Sequence, residues 1–364
     1  MCNFMPIPHH GARAILTVIM KKFIVILLLI AVSVIILILL KTKNVEQTLS
    51  SSTSSSENVP LIWQADQTLK TKGSRFDYEV ISEGLLYLNH MGSNSLIIYD
   101  PKAQSILSEI SGIGSPRGVA VSAKHHQAYV TSPSSDSVIV VDTFTRKIVA
   151  EIPVGKDPDG IAVADPYDRL FVTNESGRSV SVIDITSLAV VKQIAMTSTV
   201  GNTKYDATND LVYTAVHDGT LVVIDPTTLE ILQTFTLTDC QTPHGFTFDA
   251  QARQALVTCQ GNAVGVIISL VDGKELLRAS VGRGPDVVDE SPINQQVVVA
   301  SSSGTASMFQ LGSEVKKIGD QFIGTNAHTV AIDSVTNLVY FPLENTTLKV
   351  YAFRCILEGS GVEC

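Results

Sequence analysis

The chain has 364 residues, of which 45% are apolar and 17% charged, and its formal net charge is −9. That composition supports a large hydrophobic core, and the acidic balance disfavours nucleic acid as the main partner. The length exceeds a usual single domain but fits one large all-β unit.

In chain order, the first signal is the uncharged run Phe23–Leu40, FIVILLLIAVSVIILILL. As a helix it extends roughly 27 Å at about 1.5 Å per residue, enough to cross a bilayer with little tilt. Arg13, Lys21 and Lys22 precede it and Lys41 and Lys43 follow, a bias that places residues 1–22 in the cytoplasm. A cleaved signal peptide starting at Met20 is the alternative. Against it, the apolar run is longer than a usual signal-peptide core, and neither a small-x-small site nor a lipid-accepting cysteine follows. The expectation is therefore a transmembrane signal anchor at 23–40, with everything after it outside the cytoplasm, periplasmic or at the cell surface. Residues 41–59 are Ser-rich (NVEQTLSSSTSSSEN at 44–58) and bury too little apolar surface to fold, so they read as a flexible tether.

From residue 60 to 353 the chain repeats itself. A Pro-x-Gly phrase places glycines at Gly118, Gly160, Gly201 and Gly245, and the equivalent slots fall on Phe76, Val287 and His328, in steps of 42, 42, 41, 44, 42 and 41 residues. Ten residues beyond each anchor an apolar segment begins, at Leu86, Ala128, Leu170, Leu211, Ala255, Val297 and Leu338. A third segment ends at Asp100, Asp142, Asp184 and Asp225 in the first four copies. A fourth, such as KIVAEIPVG, completes the unit. Four short β-rich runs separated by Gly, Asp, Ser and Asn turns form one blade of a propeller, so the fold class is all-β with seven blades. The last copy lacks its fourth run, and residues 61–70 (LIWQADQTLK) stand at the spacing to supply it, so an N-terminal strand is expected to close the ring. The glycine reads as a tight passage between blades, and the Asp as an Asx-turn into the fourth strand.

The phrases PRGVAVS with AYVTS, and PDGIAVA with LFVTN and SVIDITS, resemble the YVTN family of β-propeller repeats across residues 60–353. The match is strongest in the second and third blades and weakest in the sixth. The resemblance implies a seven-bladed ring and an exported or surface-associated binding protein. It implies no particular chemistry.

Function is expected at the channel mouth, where the middle residues of the Pro-x-Gly slots point: Arg75, Arg117, Asp159, Val200, His244, Asp286 and Ala327. His244, Asp286 and His328 form one arc over blades five to seven, beside a second arc of Arg117 and Asp159. The turn after the second strand adds His90, Asn174, Glu175 and His217 to the rim, where His90 and Asn174 serve equally well as turn residues. Histidine with carboxylate suits acid–base work or a metal, and equally suits a wet channel wall. No HExxH, CxxC or CxxCH spacing marks a metal or haem site, and no cofactor is specified.

Cys240 and Cys259 lie near that same face and are candidates for a disulfide, as are Cys355 and Cys364 in the tail at 354–364, since thiols beyond the membrane can pair. The leading reading is a membrane-tethered binding or scaffold module that offers its mouth to a protein, glycan or small molecule. An enzyme, lactonase-like or a quinone- or metal-dependent oxidoreductase, is the alternative, and a self-assembling surface protein is a third.

Overall fold

A computed structural model describes residues 60–353 and two short tail strands, Ile356–Glu358 and Gly361–Glu363. The expected span at 23–40, the tether, and the Cys355 and Cys364 pair lie outside the described residues. Among the described residues no helix is long and apolar enough to cross a membrane.

Seven four-stranded antiparallel sheets follow one another. Blade three shows the pattern: Pro158–Ala164, Arg169–Asn174, Ser179–Asp184 and Ala189–Ala195 pair in sequence order. Blades one, two, four, five and six repeat it, beginning at Phe76, Val119, Val200, Pro243 and Pro285. The first strand of each blade packs against the first strand of the next. Ala331–Ile332 of blade seven touches both Pro285–Glu290 and Phe76–Ser82, which closes the circle. The molecule is a seven-bladed β-propeller.

Blade seven is built from both ends of the repeat region. Its order is Leu61–Thr68, Thr347–Phe353, Leu338–Pro342, Ala331–Ile332, with the N-terminal strand on the outside. The pairing runs from Leu61 opposite Phe353 to Thr68 opposite Thr347, which is the closure that residues 61–70 were expected to make.

The core is likewise divided radially. Seven apolar clusters among the described residues each lie between two neighbouring blades. Second and third strands such as Leu170–Val172 and Val180–Ile183 are covered on both faces, which is why they read as continuous apolar runs rather than as alternating ones. Outermost strands such as Ala189–Ala195 alternate between exposed and covered positions. The Asp residues behave as their spacing suggested. Asp100 accepts the N–H groups of Lys102 and Ala103 at 2.9 and 3.0 Å, and Asp225 those of Thr227 and Thr228 at 2.7 and 3.1 Å.

Cys240 and Cys259 form a disulfide, joining the passage into blade five to the end of that blade's second strand. The two residues are 19 apart in sequence, and closing a loop of that size removes about 3 kcal/mol of unfolded-chain freedom. Replacing both with alanine is expected to lower stability by that order in urea unfolding. An unchanged midpoint would place the restraint elsewhere.

Candidate functional site at the channel mouth

The mouth is built by a bulge repeated around the ring. In blade three Pro158 pairs with Asn174 and Ile161 with Val172, so Asp159 and Gly160 together oppose the single residue Thr173. The same two-against-one step holds Gly201 and Asn202, His244 and Gly245, Asp286 and Val287, and Asp77 and Tyr78. A bulge turns a side chain out of the sheet's alternation, and here the first bulge residue of each blade is the one delivered to the mouth.

Threonines and glycines hold this geometry. Thr131 donates through Oγ1 to the Asp159 carbonyl at 2.8 Å, and Thr258 to the Gly245 carbonyl at 2.9 Å. Asn89 takes the threonine's place in blade one and donates to the Arg117 carbonyl. A Cβ at Gly118 would collide with the Asp159 carbonyl, and one at Gly245 with that of Asp286. The glycines are thus required by the close approach of the next blade's bulge. The threonine's part was not foreseen, although its recurrence in AYVT, LFVT and ALVT was the available signal.

The register also revises three slots. In blade one the slot residue is Asp77, whereas Arg75 is exposed with φ +80°. In blade four it is Gly201, and Val200 is buried between blades three and four. In blade seven, extending the Ala331–Tyr340 register back by three residues reaches His328, while Ala327 is buried in the interface with blade six. The His328 carbonyl accepts the Val287 N–H at 3.2 Å, the same neighbour-to-neighbour approach that the glycines permit elsewhere. The ring is therefore Asp77, Arg117, Asp159, Gly201, His244, Asp286 and His328.

These side chains form one electrostatic cluster. His244 Nε2 lies 3.3 Å from Asp286 Oδ1 and 3.9 Å from Asp159 Oδ2. Burial works against the His244 charge, but the hydrogen bond and charge of Asp286, then Asp159 and Glu175, outweigh it and raise the imidazole to about 9. Asp286 is held below the usual carboxylate range. Burial opposes this, and the His244 hydrogen bond and the charges of His244, His328 and Arg117 prevail. Asp159 is pushed up to about 6, chiefly by burial, with His244 and Arg117 pulling the other way. Asp77 rises well above the usual range through burial and the neighbouring charges of Asp286 and Asp159. Arg117 bridges outward to Asp157 at 3.2 Å and Glu175 at 2.9 Å.

The four rim residues divide into two pairs. Glu175 sits at the mouth on Arg117, and the His217 ring lies 5.8 Å from that of His244. Burial first, and then the His244 charge, depress His217 to about 4. His90 and Asn174 are instead fully buried within their blades. His90 stacks on Phe76 at 4.6 Å and bonds Ser93 Oγ at 2.6 Å, and Asn174 donates to Ser179 and Ser181 at 2.9 Å. These two act as turn residues.

Beneath the mouth, the Tyr78 hydroxyl of blade one donates to Asn202 of blade four, a bond across the channel. Around and below it is a cavity of about 310 Å³, lined from blades one to four by residues including Tyr78, Val80, Gly118, Gly160, Asn202 and Lys204. Lys204 crosses toward blade six, 3.0 Å from the Val288 carbonyl and 3.6 Å from Asp289. Among the described residues, no group of three His, Cys, Asp or Glu side chains is placed to hold a metal ion.

No known family profile matches the chain, and no curated protein matches it in sequence. Solved structures do resemble it. The WD40 repeats of RRP9 superpose with a TM-score of 0.69 at 12% identity, covering 81% of this chain and 100% of that one. U3-55K gives 0.69 at 12% identity, covering 79% and 98%. Hydrazine synthase of Kuenenia stuttgartiensis gives 0.67 at 15% identity, covering 78% and 96%. At such identities the likeness is one of fold, and that fold is the seven-bladed β-propeller.

Proposed function

We propose that the chain is a membrane-tethered binding module whose propeller lies outside the cytoplasm and takes its ligand at the channel mouth. The observation that carries this reading is the convergence of six ionisable side chains, one from each of six blades, on a single opening crossed by the Tyr78–Asn202 bond. Such an arrangement is the usual form of a specific polar site: concave, preformed and with few convergent charged groups. The Phe23–Leu40 run and the Ser-rich stretch after it supply the anchor and the reach, and the YVTN-like repeats agree with an exported setting.

The test is photocrosslinking of the full chain in the membranes of the cell that makes it. A photoreactive residue replaces Lys156, exposed beside the mouth, or Ala207, exposed on the turn between the first two strands of blade four, at the opposite face. Adducts, protein or small molecule, are expected from position 156 alone, and Asp159→Arg, which fills the mouth with a bulky cation, is expected to abolish them. Equal adducts from both positions, or adducts only from 207, would overturn the mouth as the binding face. Protease accessibility in sealed vesicles checks the topology, since a propeller found on the cytoplasmic side removes its placement outside the cytoplasm.

A further inference from the structure

We infer that the channel mouth is a subsite for an organic cation, an alkylammonium or guanidinium group seated among Asp77, Asp159 and Asp286. This deepens, and rests on, the reading of the mouth as the binding face. Five carboxylates meet there: Asp77, Asp157, Asp159, Glu175 and Asp286. Arg117 is engaged by Asp157 and Glu175, and His244 is closest to Asp286. Two acids remain under-neutralised: Asp77 makes no ion pair among the described residues, and Asp159 shares the His244 ring with Asp286. Asp77 accepts only the Tyr78 N–H, at 2.9 Å. The Asp159 side chain is only 5% exposed, and its nearest cation is His244 at 3.9 Å. No hydrogen bond reaches the Asp159 carboxylate from any described residue, and the charges that act on it, those of His244, Arg117, Glu175 and Asp286, all belong to the mouth.

The geometry selects the class of cation. The acids are not gathered tightly enough to share a small metal ion, so the space among them suits a larger, diffuse charge. The Tyr78 phenol stands among Asp159, Asp286 and Asp77 and supplies an aromatic floor, which favours ammonium or guanidinium. An anion would have to displace carboxylates already seated on Arg117 and His244.

Burial and the neighbouring acids raise the carboxylates of both Asp159 and Asp77. Asp159 titrates at about 6, and Asp77 is raised well above its usual range. The other groups facing them are Tyr78 from blade one, Arg117 from blade two, Asp157 and Glu175 from blade three, His217 from blade four, His244 from blade five, Asp286 from blade six and His328 from blade seven. An arriving cation lowers both carboxylates, so it binds with release of protons and tightens as pH rises, about tenfold per pH unit for each proton released.

The experiment is calorimetric titration of the full chain in detergent with spermidine and with the peptide acetyl-Gly-Arg-Gly-amide. It is run between about pH 5 and 7 in two buffers of different ionisation enthalpy. Binding of either probe is expected to strengthen with pH and to release a proton, and Asp159→Asn and Asp77→Asn are each expected to weaken it about tenfold or more at neutral pH. Preference for the peptide assigns the cation to a protein side chain, and preference for spermidine to a free polyamine. The wild-type proton release is read without any variant, so it stands even where a variant folds poorly. Binding that ignores pH, failure of both probes, or uptake of calcium chloride or sodium sulfate in their place would overturn the inference. Failure here together with adducts at position 156 removes the cation and keeps the face, whereas failure of both removes the binding face as well.

Discussion

A chain that begins at Gly73, and so lacks the outer strand of blade seven, is expected to lose cooperative folding, while one that begins at Val59 melts in a single transition. Leu61 is fully buried in the cluster between blades six and seven, with Phe341, Tyr351 and Phe353. Leu69 is buried in the next cluster, between blades seven and one, with Phe76 and Tyr340. One strand and the residue beyond its end thus seal both interfaces of the last blade. Removing a buried leucine costs about 2–5 kcal/mol, so these two account for about 4–10 kcal/mol against a typical domain stability of about 5–15 kcal/mol. The deletion also takes away the bonds from Leu69 N–H to the Thr346 carbonyl at 2.8 Å and from the Tyr99 hydroxyl to Gln67 at 2.6 Å, and it bares the ladder of Thr347–Phe353. Thermal melts followed by circular dichroism decide the point, and a peptide of residues 59–72 should restore the transition. An undiminished melt of the shorter chain would mean that three strands suffice to close the ring.

That closure was legible in the sequence because it depends on spacing alone: seven copies, a missing fourth run, and a spare strand at the right distance. The individual slots were less legible, for a local reason. The first hairpin of blade one turns through Glu83 and Gly84, both at positive φ, and is two residues shorter than its counterpart in blade three, where Asp165–Tyr167 forms a helical turn. Counting ten residues back from Leu86 therefore lands on Phe76, two short of its true equivalent, and assigns the mouth to Arg75 instead of Asp77. In blades four and seven the count is off by one, which exchanges Gly201 for Val200 and His328 for Ala327. A register error of one residue swaps a channel group for a core group, and the burial of Val200 and Ala327 is that swap made visible. His90 and Asn174 show a second limit to position-based reading. Both end second strands, as the rim position requires, but the serines that follow them draw their side chains inward. Sequence position fixes where a residue sits along a strand, and the partners it finds decide which way it faces.

The ionisable groups gathered at the mouth lead to the other large effect. His244→Gln is expected to destabilise the propeller by about 3–5 kcal/mol near pH 6.5, because it leaves Asp286 and Asp159 buried beside each other without the imidazolium between them. The loss should shrink toward pH 4, where those acids take up protons and no longer need the cation. In the wild type His244 titrates at about 9 when folded, against about 6.5 when unfolded. Its contribution is complete below about pH 6.5 and is lost as pH rises through 9, a fall on the order of 3 kcal/mol. Asp159, raised to about 6, adds stability below its unfolded value that is lost as pH rises through 6. His217, depressed to about 4, acts in the opposite sense, favouring the fold above about pH 6.5 and withdrawing that support as pH falls toward 4. Of these three only His244 changes the balance between pH 7 and 9, but Glu290, raised to about 8 chiefly by burial, adds a fall of its own, so the signature of His244 is the part of the alkaline slope that its replacement removes. Urea unfolding at a series of pH values, run on wild type and His244→Gln, should give a steeper fall between pH 7 and 9 in the first than in the second. Parallel curves across that window would show that the imidazole carries no charge in the folded mouth, and that Asp286 and Asp159 are held by something other than their attraction to it.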